Sequence, residues 1–216
     1  MNTSLRKFDD LLGRKVYEAI LDGETQVHLG RIVGGVAWPE VGRPGFLVVL
    51  GQELDHDFDA GGRKVHVLEE RDEYGGESFL SQESQLHAIR ALRTKMHCPD
   101  WFGLECPHSR VLADFNRNET KFKRPPVRIK ELDDPEFGTL LELVFRSTVV
   151  RKLLHFHDSA LPGILAALPA DAAKSGKFPD HPHVTALLFA LAALDTTPQH
   201  TATSRTRSVA DKIAGY

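Results

Sequence analysis

The segment Val184 to Leu194 is almost wholly apolar and is interrupted only by Thr185. It is too short to cross a bilayer, so it reads as a helix buried in a core. A helix that is apolar all round must be enclosed by other elements. The polar loop before it, Phe178-Pro179-Asp180-His181-Pro182-His183, is therefore held at a fixed place. A carboxylate or imidazole fixed there can serve a metal or a substrate.

The rest of the chain must supply the enclosure. It has 216 residues, of which 41% are hydrophobic and 26% charged, the proportions of a globular domain. The formal charge of -3 gives no global attraction to nucleic acid or membrane. Cys98 and Cys106 alone make no disulfide framework. The N-terminus lacks the apolar stretch of a signal peptide. A reducing, cytoplasmic compartment is expected.

Apolar spacing predicts a helix over residues 3–21, with Leu5, Phe8, Leu11, Leu12, Val16 and Ile20 as its stripe. Three strands follow: Arg31 to Trp38, Gly45 to Leu54 and Arg63 to Glu70, separated by turn-rich segments. In the third, Val65 and Val67 face opposite to Lys64 and His66. Helices are then expected over Phe79 to Met96, Ser109 to Phe115, Pro135 to Val150, Ser159 to Leu168 and Pro182 to Leu194. Strands are expected at Asp100 to Glu105, Val127 to Leu132 and Lys152 to His157. Three antiparallel strands followed by alternating strands and helices imply an α/β fold with a mixed sheet covered by helices. This is the order of the ribonuclease H-like fold. The expected organisation is an N-terminal helical extension (1–29), a ribonuclease H-like domain (30–195) and a Ser/Thr-rich flexible tail (196–216).

Three short motifs carry a resemblance. They are Gly34-Gly35-Val36-Ala37 followed by Phe46-Leu47-Val48-Val49-Leu50, then Trp101-Phe102-Gly103-Leu104-Glu105, then Asp180-His181-Pro182-His183-Val184-Thr185-Ala186-Leu187. In order and type they resemble the nuclease domain of tailed-phage terminase large subunits. That resemblance implies a ribonuclease H-like fold and a site where carboxylates hold two Mg²⁺ or Mn²⁺ ions for phosphodiester cleavage. It also implies DNA as a partner, and a separate packaging ATPase or other phage protein, in a bacterial or phage-infected cell. Carried over, Glu105 and Asp180 would be catalytic metal ligands, with His181 in support.

The departures from the pattern matter as much. Ala37 occupies the place of the first-strand acid, and a methyl group binds no cation. The nearest acid is Glu40. The closing motif has His181, Pro182 and Thr185 where the family has acids. The expected site is degenerate, and its metal-dependent activity impaired or lost. No phosphate-binding loop of the G-x-x-x-x-G-K-[ST] form is present, so no nucleotide cofactor is expected and the chain alone is not a packaging motor.

Other clusters have competing readings. Phe115 to Lys130 concentrates Arg117, Lys121, Lys123, Arg124 and Arg128 around Phe115 and Phe122. It reads either as a phosphate-contacting surface or as an exposed loop before a strand. His155 and His157 share one strand face, and with His181 and His183 they would form an imidazole-rich metal site if the two pairs met. Otherwise they are solvated histidines near sheet ends. His97-Cys98 and Cys106-Pro107-His108 do not have zinc-site spacing and read as half-buried thiols beside exposed imidazoles. The alternatives to a nuclease relative are a non-catalytic nucleic-acid- or partner-binding scaffold and a histidine-rich metal-binding protein.

Overall fold

The computed structural model describes residues 3–11, 13–40, 42–54, 64–74, 79–131, 153–157, 159–167 and 181–196. The fold is α/β, built on one mixed, open sheet. Its backbone is a meander of β3 (Thr25–Ala37), β4 (Gly45–Glu53) and β5 (Val65–Tyr74), each antiparallel to the next. These strands are apolar on both faces because helices cover both sides. Ile32, Val36, Leu47, Val49 and Leu68 join one core, while Val33, Ala37, Phe46, Val48 and Leu50 join the other.

Helix α1 (Phe79–Lys95) brings Leu86, Ile89 and Leu92 to the first core. It leads into β6 (Trp101–Gly103), which pairs parallel to β3 at Gly34 and Gly35. Helix α2 (Ser109–Lys121) adds Phe115 to the same core, and β7 (Ile129–Glu131) pairs parallel to β6. The short β8 (Leu154–His155) pairs parallel to β5, and α3 (Leu161–Ala166) follows it. The last helix, α4 (Pro182–Thr196), lies on the second core, with Ala186 to Leu194 buried. Through the meander the sheet runs β7-β6-β3-β4-β5-β8.

Glycines set how closely these layers meet. A Cβ on Gly35 would lie 2.0 Å from the Ala186 carbonyl oxygen of α4, and one on Gly34 would lie 2.4 Å from the Trp101 ring. At the far end of the contact, Arg31 donates a hydrogen bond to the Leu194 carbonyl at 3.2 Å. Four residues of strand and eight of helix each cover about 12–13 Å, so α4 runs antiparallel to β3 in register with it.

The expected N-terminal helix is corrected. Residues 3–21 hold β1 (Ser4–Asp9) and β2 (Lys15–Leu21), an antiparallel hairpin that extends the sheet along the first half of β3. The reason lies in the intervening turn. Gly13 has φ +72°, its N–H bonds to the Asp10 carbonyl, and the Asp10 carboxylate accepts from the Arg14 N–H and Nε. The supposed helical stripe is no buried face: Leu11 is fully exposed, and Phe8 and Ile20 are also exposed. Instead Val16, Ala19 and Leu21 turn inward.

Helix α2 extends to Lys121, beyond the expected end at Phe115, so half of the basic segment is helical. The expected helix over Pro135 to Val150 and the tail from 197 lie outside the described residues. Among the described residues no helix is long and apolar enough to cross a membrane.

Gly35→Ala is expected to lose at least about 2 kcal/mol of stability, because the obstructing atom is backbone and cannot rotate away. Gly163→Ala, where an added Cβ meets nothing within 4 Å, is expected to be neutral or slightly stabilising. Urea denaturation midpoints of the two variants measure the contrast.

Candidate functional site

The C-terminal ends of β3 and β6 and the first turn of α4 enclose a recess of about 140 Å³. Its walls are Val36, Ala37, Trp38, Glu40, Arg43, Pro44, Leu104, Glu105, Pro182 and Thr185. Local chemistry explains each wall. Ala37 is the last residue of β3 and faces α4. The chain then turns through Pro39 and Pro44, closed by reciprocal backbone bonds between Glu40 and Arg43 at 3.1 and 2.9 Å. Trp38 Nε1–H donates to the Leu104 carbonyl at 3.0 Å, tying this turn to the end of β6. Behind it, fully buried Gln85 of α1 donates to the Ala37 carbonyl at 2.9 Å. In α4 the Thr185 N–H bonds to the His181 carbonyl at 2.9 Å and closes the first turn.

Ala37, Glu105 and Thr185, far apart in the chain, thus line one recess. Of the expected site residues, Glu105 is there and is exposed. His181 is half-buried just outside the lining, its Nδ1 3.1 Å from Nδ1 of His183, whose ring packs on Phe46 with centroids 4.1 Å apart. Asp180 lies outside the described residues. Sequence reasoning noted Glu40 as the nearest acid but missed Trp38 and Arg43. The Pro-flanked turn carrying an acid and a base was the available signal.

The donors on this wall suit a divalent metal pair poorly. They are two carboxylates and one hydroxyl, and the Arg43 guanidinium sits 3.8 Å from Glu40. A fixed cation beside one of two carboxylates competes for the charge that Mg²⁺ or Mn²⁺ would need. Among the described residues no three His, Cys, Asp or Glu side chains come together so as to hold a metal ion. The arrangement can accept hydrogen bonds and present one guanidinium to an anion.

The two histidine pairs do not meet. His183 packs on Phe46 at the start of β4, whereas His155 pairs with His66, which lies opposite Gly51. Phe46 and Gly51 are five residues apart on β4, roughly 17 Å.

The basic residues are also separate from the recess. Arg93, near the end of α1, donates to the carbonyls of Pro125 and Pro126, while Gln85 sits behind the recess. Those two positions lie about 12 Å apart along the helix. Arg117 pairs with Asp114 at 3.1 Å, and Arg124 pairs with buried Glu119 at 3.7 Å and lies over the Phe122 ring. Lys121, Lys123 and Arg128 are exposed and make no ion pair among the described residues.

Both thiols are buried more deeply than expected. Cys98 donates to the Asp100 carbonyl, and Cys106 to Gln82 Oε1 at 3.3 Å. Burial pushes both thiols well above their ordinary range, and for Cys98 the nearby Asp100 adds to it. They are neutral at physiological pH and poor metal ligands or nucleophiles. Native protein at pH 8 is expected to react with a thiol-titrating disulfide reagent at least about a hundredfold more slowly than protein unfolded in urea, read by absorbance.

No protein-family model, curated protein or solved structure matches this chain.

Proposed function

We propose that this chain is a terminase-nuclease-like protein of ribonuclease H fold, acting in phage-type DNA processing or packaging, with impaired or lost metal-dependent phosphodiesterase activity. The observation that carries the reading is the meeting of Ala37, Glu105 and Thr185 in one recess. These are the positions where the three motifs of such nucleases place their acids. A sheet with the meander β3-β4-β5 on one side and β6 and β7 parallel to β3 on the other also supports the fold assignment.

The chemistry follows from the residues that occupy those positions. Ala37 supplies no ligand between two cations, and Thr185 offers a neutral hydroxyl. Glu105 remains, with Glu40 approached by Arg43. Two-metal cleavage depends on carboxylates that neutralise both ions. Their loss removes the stabilisation of the attacking and leaving oxygens, and each 1.36 kcal/mol of barrier costs tenfold in rate. Purified protein with Mg²⁺ or Mn²⁺ is expected to nick supercoiled plasmid no faster than buffer alone. Nicking that disappears in Glu105→Ala would show a working site and refute the loss of activity.

A second reading, a non-catalytic nucleic-acid- or partner-binding scaffold, draws on the loop after α2. Phe122 is two-thirds exposed there, beside Arg124 and the unpaired Lys121, Lys123 and Arg128. Cations with an exposed aromatic suit phosphate contact combined with base stacking. If this loop binds DNA, replacing Lys121, Lys123 and Arg128 with Ala lowers the salt slope of binding by about 0.9 per residue. Fluorescence anisotropy over a salt series measures it, and an unchanged slope excludes the loop.

A further inference from the structure

At the opposite end of the sheet from the recess, four titratable side chains form a continuous chain. His66 Nε2 lies 2.7 Å from Glu53 Oε1 on β4, and His66 Nδ1 lies 2.9 Å from His157 Nε2. His157 Nδ1 lies 2.9 Å from Asp22 Oδ2, in the turn after β2. His155 of β8 stacks on His66 at 5.1 Å between centroids, and His157 stacks on it at 5.2 Å. His66 is only 4% exposed. The other charges of β5 are engaged elsewhere: Glu69 pairs with Lys95 of α1, and Glu70 accepts from Ser159.

Counting protons fixes the arrangement. Three hydrogen bonds across two rings require three protons, with both carboxylates ionised. The central bond needs one ring to accept, so one ring is neutral. His66 is the enclosed one. Its Nε2–H then donates to Glu53, and its bare Nδ1 accepts from His157 Nε2–H. The His157 Nδ1–H donates to Asp22.

We propose that His66, His155 and His157 form an acid-sensitive latch that fastens β8 to the sheet and releases it when His66 takes up a proton. A proton on His66 Nδ1 faces the His157 N–H across 2.9 Å and abolishes the bond. It also sets a cation against the stacked His155 and His157 rings. What remains is slight, because β8 pairs with β5 at only two positions, Val65↔Leu154 and His66↔His155. One backbone bond joins them besides, from the Val65 N–H to the Leu153 carbonyl at 2.9 Å.

The direction of the response follows from burial. Desolvation lowers the proton affinity of His66, partly offset by Glu53, with His155 and His157 lowering it further. The folded protein thus keeps His66 neutral to lower pH than the unfolded chain does. The latch contributes fully above about pH 6.5, the ordinary histidine value. Its contribution is lost as pH falls below that, because the unfolded chain then binds the extra proton first.

The test is hydrogen–deuterium exchange of the full chain at pH 7.5 and 5.5, corrected for intrinsic rates. Protection in residues 64–67 and 153–157 is expected to fall at least about tenfold on acidification, the response to one proton over one pH unit. Residues 46–50 of β4 should change far less. Gln in place of His66 can donate to Glu53 but cannot titrate, so His66→Gln should hold β8 equally at both pH values. Should His66→Gln fail to fold, His157→Gln serves. It is placed nearer the surface, and its amide can turn its oxygen toward a protonated His66, so the pH response flattens. Unchanged protection in the native chain between the two pH values would overturn the proposal, as would a full response retained in His66→Gln. So would stoichiometric Zn²⁺ binding at pH 7.5 that governs β8 protection, since a metal rather than a proton would then control the cluster.

Discussion

Everything at the candidate site rests on the close approach of α4 to β3. Gly35 lets the backbone of the helix at Ala186 come where any side chain would collide. On the other face Gly34 receives the Trp101 ring, and Gly103 meets Val36 with equal closeness. These three glycines let β3 be packed from both sides and along its edge at once. The buried length of α4 from Ala186 to Leu194 then follows β3 down to Arg31. The consequence is positional. The first turn of α4 arrives beside the last residue of β3 and the end of β6, which is why residues 37, 105 and 185 share a recess. A fold this tightly set at its centre holds its site residues in place whether or not they still react.

What fills that place is a set of groups with low capacity for metal. Ala37 and Thr185 bring no charge, and Glu40 is accompanied by Arg43 across the Pro-flanked turn. The scaffold and the chemistry have separated: the supports, such as Gln85 under Ala37 and Trp38 on Leu104, are in place. A recess with a guanidinium, two carboxylates and a tryptophan wall suits contact with an anion or a partner better than cleavage through two cations.

Much of the fold was legible from residue order alone. The strands β4, β5, β6 and β7 and the helices α1 and α4 could be read because burial on both faces leaves long apolar runs. The bringing together of Ala37, Glu105 and Thr185 could be anticipated from motif order, though not the arrival of Arg43. The N-terminal hairpin was misread because Leu5, Phe8, Leu12 and Val16 happen to fall at helical spacing. The decisive signals were local, the Asp10–Arg14 interaction and the left-handed Gly13. Helix α2 outran its apolar residues because its second half is held by Glu119, buried between Arg90 at 2.7 Å and Arg124 at 3.7 Å. Such pairing depends on a neighbouring helix and leaves no trace in periodicity. His66 is the sharpest case. Alternation placed it opposite the apolar Val65 and Val67, yet it is enclosed, because β8 and Glu53 cover that face with polar partners.

The central claim is that the recess keeps the geometry of a two-metal nuclease without its capacity to hold the metals. Anomalous scattering from crystals grown with millimolar Mn²⁺ tests this most directly, because it locates each ion relative to Glu105. The account predicts no ordered Mn²⁺ pair in the recess. Two Mn²⁺ ions ligated by Glu105 and by carboxylates from the segment before α4 would contradict it.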